Sequence, residues 1–185
     1  MSHPTFIQQD METVFQIISP EFCLIDRSTG LFLYTMTYLS RPKFVLEIGR
    51  YKGCSTCFLA GALTDLEQGG VLFSIDIENQ LSDEILYFLK TTTLIDIDSK
   101  NLLCHPSIAD KKFGIIYIDG DHIYDAVLAD LENTYKLSDE STLWILDDHD
   151  LLGVKKAVEA FKSNHPDVID RGIYNDKIKL LARTV

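Results

Sequence analysis

Apolar residues recur along the chain at two spacings, one helical and one strand-like, and their alternation predicts an α/β fold. Before residue 43 the spacing is helical. Met11, Val14, Phe15 and Ile18 share one face of a first helix that Ser19-Pro20 would end. A second helix is expected over residues 29–39, stopping before Arg41-Pro42. From Lys43 onward strands and helices take turns. Phe44-Val45-Leu46 reads as a buried strand, followed by a turn from Gly49 to Gly53 and a helix to residue 66. Gly69-Gly70 breaks that helix before a second strand over 71–77. A helix over 82–90, a short strand over 102–105 and a strongly apolar strand over 113–118 follow. Ile123, Val127, Leu131 and Tyr135 then mark a helical stripe, residues 143–146 a fifth strand, and Val154, Val158 and Phe161 a further helix. After Pro166 the pattern changes to two strands, 168–174 and 178–182, joined by Asn175-Asp176, which suits a tight hairpin turn.

Strands that are apolar at every position need cover on both faces. The expected fold is therefore a doubly wound, Rossmann-like sheet of about seven strands, five parallel and then an antiparallel C-terminal hairpin, with N-terminal helices. No repeat or Pro/Gly-rich linker interrupts the pattern, and 185 residues suffice for one domain with a proper core. Residues 1–42 are expected to form a helical cap and 43–185 the core.

Composition narrows the partners. With 46% hydrophobic and 24% charged residues, the balance is that of a globular chain, and its apolar runs are too short to span a bilayer. The first ten residues lack a basic region followed by an apolar block, so the expected setting is cytoplasmic, without a membrane partner. The net charge of -11, from 17 basic and 28 acidic residues, repels phosphate backbones, so no nucleic-acid partner is expected. A small-molecule substrate fits better. The cysteines are Cys23, Cys54, Cys57 and Cys104. Cys54 and Cys57 form a CxxC that reads either as a redox pair at a helix start or as two small packing residues. No second pair completes a zinc site, and the packing reading is preferred.

Two strand ends carry candidate chemistry. The first is Glu47-Ile48-Gly49-Arg50-Tyr51-Lys52-Gly53-Cys54-Ser55, with Asp76 closing the next strand. In a doubly wound sheet ligands settle at such ends, near the switch in strand order. Gly49 and Gly53 let the backbone turn sharply and approach a ligand, and a carboxylate at Asp76 can accept the hydroxyls of a ribose. An adenosine-containing cofactor is the expected ligand. The G-x-G-x-x-G turn of dinucleotide sites is missing, and Glu47 would oppose a pyrophosphate while suiting a cationic amino-acid moiety. That shifts the balance from NAD to S-adenosylmethionine.

The second is Ile118-Asp119-Gly120-Asp121-His122, with Leu146-Asp147-Asp148-His149-Asp150 at the next strand end. Converging carboxylates repel unless a cation or protons intervene, and Mg²⁺ would take oxygen ligands from Asp119, Asp147 and Asp148. His122 could accept the proton of a substrate hydroxyl. The alternative is that these acids cap helices: Asp121 or His122 one starting at Ile123, Asp150 one at Leu152. Adjacent strand residues point to opposite faces, so Asp147 and Asp148 can share an ion only beyond the strand's end.

These segments together make residues 43–185 resemble class I S-adenosylmethionine-dependent methyltransferases, and within them the small-molecule O-methyltransferases related to the macrocin and rhamnosyl enzymes. The matching pieces are Glu47-Ile48-Gly49-x-x-x-Gly53-x-Ser55, Ser74-Ile75-Asp76, Ile118-Asp119-Gly120-Asp121-His122-x-Tyr124 with Asp130 in the next helix, and Leu146-Asp147-Asp148. The resemblance implies that Glu47, Gly49 and Gly53 line the methionine side, with Ser55 and Asp119 also in the cofactor site, and that Asp76 holds the ribose. It further implies that Asp119, Asp147 and Asp148 match the metal ligands of metal-dependent members, with His122 at the position of the base. Cys104-His105-Pro106-Ser107, after the expected third strand, lacks the usual glycine-containing adenine loop. No long insertion supplies a substrate lid, which must come from residues before Lys43 or from a second subunit of a homo-oligomer. Two other readings stand beside methyl transfer: a cofactor-binding module without transfer activity, and an NAD-linked oxidoreductase. Phe22, Tyr38 and Tyr51 read as core aromatics before acceptor-pocket residues.

Overall fold

In the computed structural model, residues 5–18 and 25–184 are described; Ser19-Pro20, Phe22 and Cys23 lie outside them. Two short helices, α1 (Phe6–Gln9) and α2 (Met11–Ile17), precede α3 (Arg27–Ser40). Asp26 starts α3 by accepting the Thr29 amide, and Arg41, left-handed at φ 50, ends it before Pro42. The core then alternates through β1 (Phe44–Ile48), α4 (Cys54–Leu66), β2 (Val71–Asp76), α5 (Asp83–Leu86), β3 (Thr92–Asp96), β4 (Ile115–Ile118), α6 (Tyr124–Lys136), β5 (Leu143–Leu146) and α7 (Leu152–Asn164). It closes with the hairpin of β6 (Val168–Tyr174) and β7 (Ile178–Arg183). Asn175 and Asp176 both take the positive φ that a tight hairpin turn demands.

The sheet runs β3-β2-β1-β4-β5-β7-β6, parallel through β5, with β7 antiparallel between β5 and β6. Strand order reverses between β1 and β4, so the loops after them open a crevice at the sheet's C-terminal edge. Side-chain alternation divides the core into two layers. Leu46, Ile48, Ile116, Ile118, Trp144 and Leu146 pack with α6 and α7 on one face. Val45, Leu72, Ile115, Tyr117 and Ile145 pack with α4 and the N-terminal helices on the other. The second layer is tight: a Cβ on Gly30 would lie 2.6 Å from the Phe58 ring, and one on Gly61 would lie 2.4 Å from Phe6.

Four expectations need correction. The third strand is not over 102–105 but is β3, paired in register with β2 from Leu72↔Thr92 to Asp76↔Asp96. Residues Ser99–Cys104 instead wind into a 3₁₀ turn started by Asp98, which buries Leu102. The helix expected over 82–90 ends after one turn, where Phe88 and Leu89 switch to i→i+3 bonds. Asp150 does not cap α7, which Leu151 begins without a side-chain bond. Asp121 holds the Ile123 amide (3.0 Å) just ahead of α6, without occupying the cap position itself. Among the described residues, no helix is long and apolar enough to cross a membrane.

Candidate cofactor and acceptor site

The loop leaving β1 is shaped by alternate left-handed residues, Gly49 (φ 88), Tyr51 (φ 46) and Gly53 (φ 84), and pinched by a 2.7 Å bond from the Gly53 amide to the Arg50 carbonyl. This curl aims two successive amides at the end of β2. Arg50 and Tyr51 N–H donate to Asp76 Oδ2 at 3.0 and 2.8 Å, and Glu78 N–H donates to Oδ1 at 3.2 Å. Those bonds offset the left-handed strain at Tyr51, which is of the order of 1 kcal/mol. A carboxylate has about four lone-pair sites, so Asp76 keeps one for a ligand hydroxyl, on Oδ1. That is half of the two-hydroxyl capacity expected from sequence.

The Arg50 side chain turns under the loop and is buried. Its guanidinium pairs with Asp96 and donates to the carbonyls of Ser74 (3.0 Å), Ile95 (3.4 Å) and Glu78 (3.5 Å), stapling the ends of β2 and β3. Nothing in the sequence marked this arginine, because a lone basic residue in a glycine loop reads as solvent-facing.

Glu47 is placed differently from its expected role on the methionine side. An odd position on β1 faces α4, and there its carboxylate accepts Ser55 Oγ (2.7 Å), Thr56 Oγ1 (2.8 Å) and Ser74 Oγ (2.5 Å). It is fully buried and stays outside the cavity wall, locking the first turn of α4 to β1 and β2. Burial pushes its pKa up to about 7, against the hydroxyl bonds that lower it. Because the folded protein holds this proton more tightly than the unfolded chain, the contribution to stability is complete below pH 4.5 and lost as pH rises through 7. Comparing wild type with Glu47→Gln in denaturant titrations at pH 5 and pH 8 should show their stability difference shifting by about 2–3 kcal/mol in favour of the variant at the higher pH. A difference independent of pH would remove Glu47 as the titrating group.

A cavity of about 680 Å³ lies over the ends of β1, β2, β4 and β5. Ile48, Gly49, Tyr51, Cys54, Ser55, Asp76 and Ile77 line one side; Ile97, Asp98, Ser99 and Asp130 line another; Asp119, His122, Asp147 and Asp148 close a third. Gly53 bends the loop from behind, where a Cβ would meet Leu81 at 2.6 Å. The segment that follows the third strand into the cavity is thus 97–100, and Cys104-His105-Pro106-Ser107 stay outside its wall. Asp130 is buried, and burial pushes its pKa up to about 6. Cys54 and Cys57 are both buried within the packed first turn of α4, as the packing reading expected.

At the third side, Tyr117 OH lies 3.0 Å from both Asp119 Oδ2 and Asp147 Oδ2, so one phenolic proton serves two carboxylates. Burial and the two acids hold that phenol well above its ordinary pKa. Burial likewise raises Asp119. His122 Nε2 is buried, 3.6 Å from Asp119 Oδ1 and 3.0 Å from Asp148 Oδ2, with no aligned hydrogen bond among the described residues. Its pKa is raised, by Asp119 first and then by the Asp148 charge, although Asp148 is the nearer.

Asp147 and Asp148 lie beyond the end of β5, and Asp148 is left-handed at φ 51, so the two carboxylates can share a cation. The cation they share is Lys177, whose Nζ lies 3.1 Å from Asp147 Oδ1 and 3.8 Å from Asp148 Oδ1. With the Asp148 amide on Oδ1 (2.8 Å) and Tyr117 on Oδ2, both oxygens of Asp147 are engaged. The groups free to converge are Asp119, His122 and Asp148, each with one ligand atom within 4.8 Å of the others. Two carboxylates and an imidazole are not the oxygen-only set that Mg²⁺ favours. The residues as arranged do not fit the expected Asp119, Asp147 and Asp148 magnesium site.

A family described as a methyltransferase domain matches residues 46–149, which carry both strand-end motifs. The chain belongs to that methyltransferase-domain family. A search of curated proteins finds no match. Among solved structures, an O-methyltransferase from Bacillus cereus in complex with S-adenosylhomocysteine is 18% identical, with TM-score 0.67 over 95% of this chain and 90% of that one. An S-adenosylhomocysteine-bound methyltransferase from Podospora anserina is 15% identical, with TM-score 0.69 over 100% and 90%. The O-methyltransferase TomG from Streptomyces achromogenes, involved in tomaymycin synthesis and in complex with S-adenosylmethionine, is 18% identical, with TM-score 0.68 over 95% and 89%. These likenesses show that the fold is that of the Rossmann-like methyltransferases.

Proposed function

We propose that this protein is an S-adenosylmethionine-dependent methyltransferase acting on a hydroxyl of a small molecule. The observation that carries the reading is the acid-lined cavity running from Asp76 and Asp130 to Asp119, His122 and Asp148. Such a wall repels the pyrophosphate of NAD and suits a cationic ligand. When bound, S-adenosylmethionine supplies an electrophilic methyl group on a sulfonium.

The residues take their roles from position. Asp76 accepts a ribose hydroxyl; Gly49 and Ser55 border the methionine portion; Asp98 and Ser99 border the adenine. His122 would take the acceptor hydroxyl's proton as the methyl group passes from the sulfonium to the oxygen and the sulfur leaves as the thioether, and Asp119 and Asp148 would stabilise the imidazolium that results. Alignment of acceptor and methyl group carries much of such a reaction. Residues 1–42 serve as cap and 43–185 as cofactor-binding core, in a cytoplasmic enzyme with a small-molecule substrate and neither a nucleic-acid nor a membrane partner.

The test is a calorimetric titration with S-adenosylhomocysteine beside an NAD control. Micromolar binding is expected for the former only, weakened at least about tenfold in Asp76→Ala by loss of a charge-assisted hydrogen bond. Absence of S-adenosylhomocysteine binding would remove the reading.

A further inference from the structure

The acid cluster beside His122 contains an ammonium that the catalytic proposal does not use. Lys177 sits at the tip of the β6–β7 hairpin, and only the insertion of β7 next to β5 brings that tip to the acids. Its backbone is fixed there, since the Lys177 carbonyl accepts the His149 amide at 2.7 Å. The hairpin is tied to α3 as well, by the Asn175 side-chain Nδ2 donating to Ser28 Oγ (3.1 Å) and by Tyr174 stacked on Phe32 with ring centroids 4.2 Å apart. With the tip anchored at these points, the Lys177 side chain reaches the acids and sets its ammonium against Asp147 and Asp148.

We infer that Lys177 is the resident cation of the Asp147–Asp148 pair and excludes a divalent metal from that pair. A metal shared by Asp147 and Asp148 would need both oxygens at about 2.1 Å, in the space that Nζ occupies. It would also meet the repulsion of a positive charge a few ångströms away. The ammonium instead neutralises Asp147, which holds the Tyr117 hydroxyl in place, and Tyr117 in turn holds Asp119 beside His122. Lys177 is thus a positioning residue, acting on His122 through the acids. The inference rests on the methyltransferase reading for the meaning of the site, but its test does not.

The test is Mn²⁺ binding to the apo protein, read by electron paramagnetic resonance and by calorimetry, in wild type, Lys177→Arg, Lys177→Met and Lys177→Gln. Wild type and Lys177→Arg should bind weakly and alike, while both neutral variants bind at least about tenfold more tightly. Adding Asp148→Asn to Lys177→Met should abolish the gain. Two neutral variants, each checked by circular dichroism, guard against one that fails to fold. Wild-type binding as tight as in the neutral variants would overturn the inference, and so would no binding in any of them. S-adenosylhomocysteine titrated into the same samples separates the two ideas. Its binding with unchanged Mn²⁺ affinity sinks the lysine inference alone, and its absence sinks the methyltransferase reading while leaving the metal comparison intact.

Discussion

Gly49→Ala is expected to abolish cofactor binding and to destabilise the protein by about 2–5 kcal/mol, the sum of a backbone-strain and an overpacking cost. At φ 88 any Cβ is strained, and here it would also lie 2.0 Å from the Asp119 carbonyl oxygen and 2.8 Å from the Gly120 nitrogen. Both neighbours are backbone, so no rotamer change relieves the clash. β1 and β4 would have to part at the point where Asp119 N–H bonds the Ile48 carbonyl (2.8 Å), which is also where the strand order reverses. Denaturant titration with S-adenosylhomocysteine calorimetry checks this. A variant within about 1 kcal/mol of wild type would show that the loop relaxes, and the close approach would lose its structural meaning.

Much of the fold is legible wherever burial on both faces enforces an apolar run. β1, β4 and β5 are such strands, and the glycine turn after β1 follows from Gly49 and Gly53 alone. The third strand is hard to read because β3 is an edge strand, half covered, that opens on Thr92 and Thr93, whose hydroxyls mute the apolar signal. The nearby Leu102 and Leu103 looked more strand-like, yet Asp98 turns them into a 3₁₀ segment. The strand-end acids were legible as a group, because strand order places them on one edge. Their partners were not. Lys177 stands thirty residues from Asp147 in sequence, and only the antiparallel insertion of β7 makes them neighbours. Glu47 was expected to face the ligand because its motif precedes a ligand loop, but the two-residue period of the strand turns it toward the hydroxyls of α4.

For His122→Gln the expected result is a fall in kcat of about 10²–10⁴-fold, with S-adenosylhomocysteine affinity unchanged. Glutamine keeps the length and the polarity, so acceptor contacts by shape survive while the proton acceptor is removed. The cavity already holds Asp119, Asp147 and Asp148, and each could be asked to take the proton instead. Asp147 is paired with Lys177 and accepts from Tyr117, and Asp119 accepts from Tyr117, so neither is unencumbered. Asp148 remains, but its Oδ2 faces His122 Nε2 at 3.0 Å, which makes it the partner of the imidazolium. The paired variant Asp148→Asn should therefore lose less than His122→Gln. The double variant should lose no more than His122→Gln alone, because Asp148 acts only through the imidazole. Single-turnover methyl transfer with a reactive phenol as acceptor would measure all three. If His122→Gln fell by less than about fivefold while Asp148→Asn fell further, the carboxylate would be the base, and the imidazole would only hold it in place.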